Sequence, residues 1–244
     1  MRLHDFAVLS FDCYGTLIDW ESGILAALEP LTRRVEQPLT RDEILQAHAG
    51  FEAAQQARTP TRLYRDVLAT VYKRLAEHWG VPADHDACMA YGRSIADWPA
   101  FSDTVGSLEY LAGFYKLVIL SNVDNASFEG SRQRLGVRFD AVVTAEDAGS
   151  YKPDRRNFEY LLERVGAGLG GPPVGPGSLL HVAESLFHDH VPAQAIGLAS
   201  CWIHRRHGQA GYGATKDPGA LPRFDFRFTG LAEMVAAHRA EHGG

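Results

Sequence analysis

Cysteine is scarce in this 244-residue chain, with Cys13, Cys88 and Cys201 the whole complement. Three scattered thiols cannot form the disulfide framework of a small secreted domain. Long apolar runs are missing too, so no segment has the roughly 20 apolar residues that a bilayer-spanning helix needs. Positive charge is not in surplus. Lys and Arg number 24 against 30 Asp and Glu, for a net charge of −6. Nucleic acid and anionic membrane are therefore poor matches as partners. The first residues lack a basic-then-apolar leader pattern, because Asp5 and Asp12 interrupt the first apolar region. The expectation is a cytoplasmic, reduced protein. There is no internal repeat, and glycine enrichment is confined to 166–177.

What is present is material for a core. Apolar residues make up 45% of the chain, which excludes global disorder. Six short apolar runs are bounded by polar, Gly or Pro residues, as buried strands are: 6–11, 117–120, 141–144, 179–182, 201–203 and 226–228. Helical patterns alternate with them from residue 104 onward, over 104–114, 128–135, 157–165 and 189–195. That alternation predicts an α/β fold, a parallel sheet with helices on both faces. The stretch 18–97 is different, because its apolar residues fall only at helical spacing. Examples are Ile24, Leu25, Leu28 and Leu31, and then Tyr64, Leu68, Val71, Leu75 and Trp79. Thr40-Arg41-Asp42-Glu43 reads as a capping box. The expected organisation is a core of 1–17 and 98–244 with an inserted helical cap of 18–97. Residues 204–222 read as a long loop, with His204-Arg205-Arg206-His207 a solvated surface stretch and a candidate subunit contact. The last four residues read as frayed.

Polar clusters fall at or just after the strand ends. They are Asp12 with Tyr14 and Thr16, Ser121 with Asn122, Lys152, and Glu184-Ser185 with Asp189. Parallel strands place all their carboxyl ends on one edge, so these groups can converge. A carboxylate can serve as a covalent nucleophile, and a nearby cation such as Lys152 keeps it ionised in a dry site. Ser121 and Asn122 offer neutral donors, and Asp189 can position or deprotonate a water. His181, His188 and His190 fit no standard zinc spacing and read as structural, with His188 beside the pocket. Cys13 points away from Asp12 by strand alternation.

The set Phe11-Asp12-Cys13-Tyr14-Gly15-Thr16-Leu17, Leu120-Ser121-Asn122, Tyr151-Lys152-Pro153-Asp154 and Val182-Ala183-Glu184-Ser185 with Asp189 resembles the haloacid dehalogenase superfamily. It is most similar to the L-specific 2-haloacid dehalogenases. The resemblance implies a Rossmann-like core, a helical cap and a small carboxylic-acid substrate, in a chain that is often a homodimer. It implies that Asp12 attacks carbon to form an ester, assisted by Thr16 in the same loop, and that Lys152 keeps Asp12 anionic. Asp189 then assists water. Tyr14, Trp20, His48, Ser121, Asn122, Ser185 and His188 would contact substrate. Phosphatases of the superfamily carry an acid where this chain has Tyr14, so the resemblance implies no cofactor. A Mg²⁺ site through Asp12, Glu184 and Asp189 is the minority alternative. The chain departs from the pattern in the cap, where the arginine that receives the halide falls near Ala47 or His48. Trp20, His48 and Arg62 are the candidate replacements. Two other positions depart as well, with Phe158 standing for a tyrosine and Ala183 and Ser185 for a Ser and an Asn. Ring opening of an azetidine-2-carboxylate type substrate, Mg²⁺-dependent phosphatase action, and binding without turnover are the competing readings.

Overall fold

The computed structural model describes residues 1–171, 173 and 175–242. Pro172 and Val174, within the glycine-rich stretch, and Gly243 and Gly244, at the end read as frayed, lie outside the described residues. Among the described residues six strands form one parallel sheet: β1 (Val8–Phe11), β2 (Lys116–Ser121), β3 (Ala141–Thr144), β4 (Leu179–Ala183), β5 (Ala199–Ile203) and β6 (Phe226–Phe228). Each matches one of the six apolar runs. The order β3-β2-β1-β4-β5-β6 reverses direction between β1 and β4. That reversal opens a crevice at the strands' carboxyl ends, the usual ligand position in a doubly wound sheet.

The strands are buried on both faces, which is why they read as continuous apolar runs rather than alternating ones. Within β1, Val8 packs in one layer with Val118, Leu120 and Val143, while Leu9 and Phe11 pack in the other. Helix α8 (Arg155–Gly166) covers the first layer with Phe158, Leu161 and Val165, all fully buried. Their 3- and 4-residue spacing makes one helical stripe. The opposite layer is closed by α5 (Thr104–Leu111) and by α10 (Leu231–His242), through Leu108, Leu111, Leu231 and Met234. Helix α10 is absent from the sequence reading, because its apolar stripe is short and diluted by Ala and charged residues. Glu241, read as part of a frayed end, accepts hydrogen bonds from the backbone N–H groups of Leu3 (3.0 Å) and His4 (3.2 Å). These contacts tie the end of α10 to the start of the chain. The remaining core helices are α6 (Asn125–Leu135), α7 (Ala145–Ala148) and α9 (Val191–Ala195).

Between β1 and α5 the chain forms four helices: α1 (Trp20–Thr32), α2 (Arg41–Arg58), α3 (Tyr64–His78) and α4 (His85–Arg93). The capping box at α2 is formed. The Thr40 hydroxyl accepts from the Glu43 N–H, and the Glu43 carboxylate accepts from the Thr40 N–H. The two chain segments leading into and out of this block run side by side. Asp19 N–H donates to Pro99 O at 2.7 Å, and Phe101 N–H donates to Leu17 O at 3.1 Å. The block therefore sits directly over the end of β1. No described helix is long and apolar enough to cross a membrane.

Candidate active site

Asp12 is the first residue past β1. Its N–H donates to Val182 O at 3.0 Å, which carries the β1–β4 pairing one step beyond the strand. The chain then turns sharply at Gly15, whose φ of +92° lies in the left-handed region. A Cβ there would stand 3.0 Å from the Trp20 indole nitrogen. Gly15→Ala should therefore cost about 1–3 kcal/mol through strain and the displaced indole, measured by urea unfolding. A loss below about 0.5 kcal/mol would contradict the geometry. The turn brings Thr16 back over Asp12. The Thr16 hydroxyl donates to Asp12 Oδ2 at 2.7 Å and accepts from Glu184 N–H at 2.9 Å.

Lys152 reaches Asp12 from the loop before α8. Asn122 fixes that loop, accepting from Lys152 N–H at 2.6 Å and donating to Lys152 O at 3.0 Å. The Lys152 ammonium donates to Asp12 Oδ1 (2.9 Å), Asp189 Oδ1 (2.7 Å) and Leu120 O (3.0 Å). All three of its protons are thereby used. His181, in β4, contacts Asp189 Oδ1 through Nε2 at 2.8 Å and is oriented by Ser10 at Nδ1, 2.9 Å away. Asp189 Oδ2 has no partner.

Burial pushes the Asp12 carboxyl up, against the opposing pull of the Lys152 ammonium and the Thr16 hydroxyl. Burial opposes the Lys152 charge, but the two carboxylates more than offset it and hold the ammonium above its usual range. Asp189 is also penalised by burial, yet Lys152 and His181 hold it well below the usual carboxylate range. The stability contributed by Asp189 is therefore complete above the usual carboxylate value of about 4 and is lost as pH falls below it, through the lowered folded value.

These groups face a small cavity between the core and the helical block. The core side contributes Asp12, Tyr14, Asn122, Val123, Lys152, Ser185, His188 and Asp189, and the helical block contributes Trp20, Ala49, Glu52, Ala53, Gln56 and Tyr64. The sequence-derived residues Asp12, Tyr14, Trp20, Asn122, Lys152, Ser185, His188 and Asp189 thus come together. Tyr14 presents its ring, because its hydroxyl is bonded to Ser131 at 2.7 Å. Ser185 accepts from His188 N–H and pairs with His188 Nδ1, both at 3.0 Å. Burial pulls the His188 imidazole down to about 4.

Three of the sequence-derived site residues, Thr16 of the catalytic set and Ser121 and His48 of the substrate contacts, stand behind the wall. Thr16 acts on Asp12 from below. Ser121 is buried with its hydroxyl unpartnered. His48 is fully buried, with neither ring nitrogen hydrogen-bonded, and sits behind Glu52 at 3.6 Å. Its imidazole faces the core of the helical block because Tyr91 packs edge-on against it. Arg62 is exposed and away from the cavity.

The sequence reading missed Glu52, Gln56 and Tyr64, although a signal existed. His48, Glu52 and Gln56 recur every four residues on α2, a polar stripe that all three residues bury. It also missed Ala214 and Lys216, which line the cavity from the long loop. That loop is not simply solvated. Arg206 is buried and donates to both carboxylate oxygens of Glu21, at 2.7 and 2.8 Å, and Arg205 pairs with Asp103. These ion pairs fold the loop back onto α1 and the core.

The carboxylates proposed for Mg²⁺ are not gathered. Asp12 and Asp189 turn their Oδ1 atoms to Lys152, and Glu184 accepts from Thr215 at 3.3 Å beside a neighbouring cavity. Burial, with the Asp12 and Glu21 carboxylates nearby, pushes Glu184 up to about 8. Among the described residues no three His, Cys, Asp or Glu side chains are grouped to hold a metal ion. The residues as placed do not fit a divalent cation.

Comparison with known proteins agrees with the geometry. The family model described as haloacid dehalogenase-like hydrolase matches residues 6–182. A putative HAD-hydrolase, YfnB of Bacillus subtilis, is 25% identical over 208 residues, covering 82% of this chain and 84% of the relative. An (S)-2-haloacid dehalogenase of Pseudomonas sp. strain YL is 24% identical over 253 residues, covering 96% and 97%. The structure of L-2-haloacid dehalogenase from Xanthobacter autotrophicus with chloropropionic acid covalently bound superimposes with a TM-score of 0.77 at 19% identity, over 96% of this chain and 98% of that one. The match to the family model over most of the chain places it among the haloacid dehalogenase-like hydrolases.

Proposed function

We propose that this hydrolase converts a small 2-haloalkanoic acid to the 2-hydroxy acid through an ester on Asp12. The observation that carries the reading is the pairing of a buried Asp12–Lys152–Asp189 triad with Tyr14, whose hydroxyl is bound to Ser131. No acid stands two residues past the nucleophile to protonate a phosphate ester's leaving alcohol. The dehalogenase relatives support the same direction.

In the first step an Asp12 carboxylate oxygen forms a bond to C2 of the substrate, and the carbon–halogen bond breaks with its electron pair leaving as halide. In the second, a water adds to the Asp12 carbonyl carbon while giving a proton to Asp189, whose free Oδ2 is the candidate acceptor. The ester then collapses to 2-hydroxy acid and regenerated Asp12. Tyr14, Trp20, Asn122, Ser185 and His188 would shape the substrate's position, and Lys216 at the wall offers a cation for its carboxylate.

A panel of chloro-, bromo- and fluoro-substituted acetates and propionates, with halide release and hydroxy acid both followed, tests the reading. Release of neither product from any member would contradict it. Asp189→Asn keeps acceptors for Lys152 and His181 but removes the base. It should slow ester hydrolysis by about 10²-fold or more, so that intact-protein mass spectrometry finds the alkylated enzyme accumulating. An Asp189→Asn enzyme that never carries an adduct while turning over normally would remove Asp189 from the mechanism.

A further inference from the structure

The helical block gives the cavity no cation. Its lining residues are Trp20, Ala49, Glu52, Ala53, Gln56 and Tyr64, so the block itself offers a departing anion no positive group. The ionisable group that is there is Glu52. Tyr64 O–H donates to Glu52 Oε1 at 2.6 Å and Gln56 Nε2 donates to the same oxygen at 3.1 Å. Both donors act on Oε1, which leaves Oε2, 3.6 Å from His48 Nδ1 and not hydrogen-bonded to it, as the atom able to carry a proton.

We propose that Glu52 receives the departing halide, its carboxyl acting as a neutral acid whose Oε2–H donates a hydrogen bond to the leaving atom. The inference rests on the dehalogenation reading for the identity of that atom. The carbon–halogen bond breaks with its pair going to the halogen, and Glu52 keeps its proton while hydrogen-bonding the anion. A neutral donor suits this place, since an ionised Glu52 would add a third negative charge facing Asp12 and the substrate carboxylate.

The surroundings favour the neutral form. Burial pushes Glu52 up to about 7, with the Tyr64 hydrogen bond opposing it. Behind it, burial pulls His48 down to about 3, so no imidazolium stands 3.6 Å away to stabilise the carboxylate. Tyr91 and Tyr151 nearby are kept as neutral phenols by burial. Across the cavity, Lys152 is committed to Asp12 and Asp189, His188 is uncharged near neutral pH, and Lys216 lies in the loop beside Phe187. The hydrogen bond weakens as pH rises through about 7, because Glu52 then loses the proton it donates.

Chloride binding to the resting enzyme, followed by ³⁵Cl NMR line broadening between pH 5 and 9, reads this without turnover. The wild-type protein should broaden the chloride line at pH 6, and the effect should fall with a midpoint near 7. Glu52→Gln, the same shape with an amide donor, should broaden it independently of pH. Tyr64→Phe removes a donor that favours the carboxylate, so it should move the wild-type midpoint upward. Broadening that does not change with pH in the wild type, or a pH-dependence retained in Glu52→Gln, would overturn the assignment. So would a Tyr64→Phe midpoint that stays in place or moves down. In turnover, Glu52→Gln, whose amide still donates to the leaving atom, should lose the alkaline decline in kcat/KM. A protein that binds chloride as described yet releases halide from no 2-haloacid would refute the dehalogenation reading and leave Glu52 as a neutral donor to a bound anion.

Discussion

Asp12→Asn should lower turnover by more than about 10⁴-fold and leave the fold intact. The amide is isosteric. Its carbonyl still accepts from Lys152, and its NH₂ faces a Thr16 hydroxyl that can rotate to accept. What is lost is the nucleophilic oxygen, and no neighbour replaces it. Asp189 Oδ1 is committed to Lys152 and His181, and burial raises the Cys13 thiol far from its reactive form. The check is steady-state halide release together with circular dichroism of the variant. A loss of less than about tenfold in a folded variant would mean that another group attacks the substrate.

Lys152→Met should be the most destabilising single change at the site, by about 3–5 kcal/mol at pH 7. The methionine fills the same channel but removes the one charge shared by Asp12 and Asp189, both buried. Two carboxylates then face each other in a dry site, and the pKa values of both rise above those of the unfolded chain. The sign of the pH effect follows. In the variant the folded state binds more protons, so its stability falls as pH rises above about 4. In the wild type, Asp189 sits below its unfolded value, so its contribution is already complete at pH 4 and stays level over the same interval. Urea unfolding at pH 4 and pH 7 checks both parts. The gap between variant and wild type should be smaller at pH 4, and a gap that widens on acidification would contradict the account.

The sheet was legible in the sequence because buried parallel strands leave continuous apolar runs between polar loop starts, and all six runs became strands. The polar groups on the core side of the cavity were legible for a related reason. Asp12, Asn122, Lys152 and Asp189 follow strand ends or precede a helix, where topology brings them to one edge. The cavity's other half was harder to read. His48 was visible as a polar residue on α2, but on that shared face it is covered by the packing of the block, Tyr91 included, while Glu52 and Gln56 further along reach the cavity. A single residue drew attention where the stripe of His48, Glu52 and Gln56 held the information. Arg206 was misread because exposure was assumed for a charged loop, and its partner Glu21 lies 185 residues away in sequence. Pairing at that separation leaves no local pattern.

The central claim is that a covalent Asp12 ester is formed and is opened at the Asp12 carbonyl carbon. It is tested most directly by a single turnover of excess enzyme with 2-chloropropionate in ¹⁸O-water, followed by mass analysis of the peptide containing Asp12 and of the product. The account predicts one ¹⁸O in the Asp12 carboxylate and an unlabelled hydroxyl in the 2-hydroxy acid. Label in the product hydroxyl, with none in Asp12, would mean that water attacks the substrate directly and would contradict it.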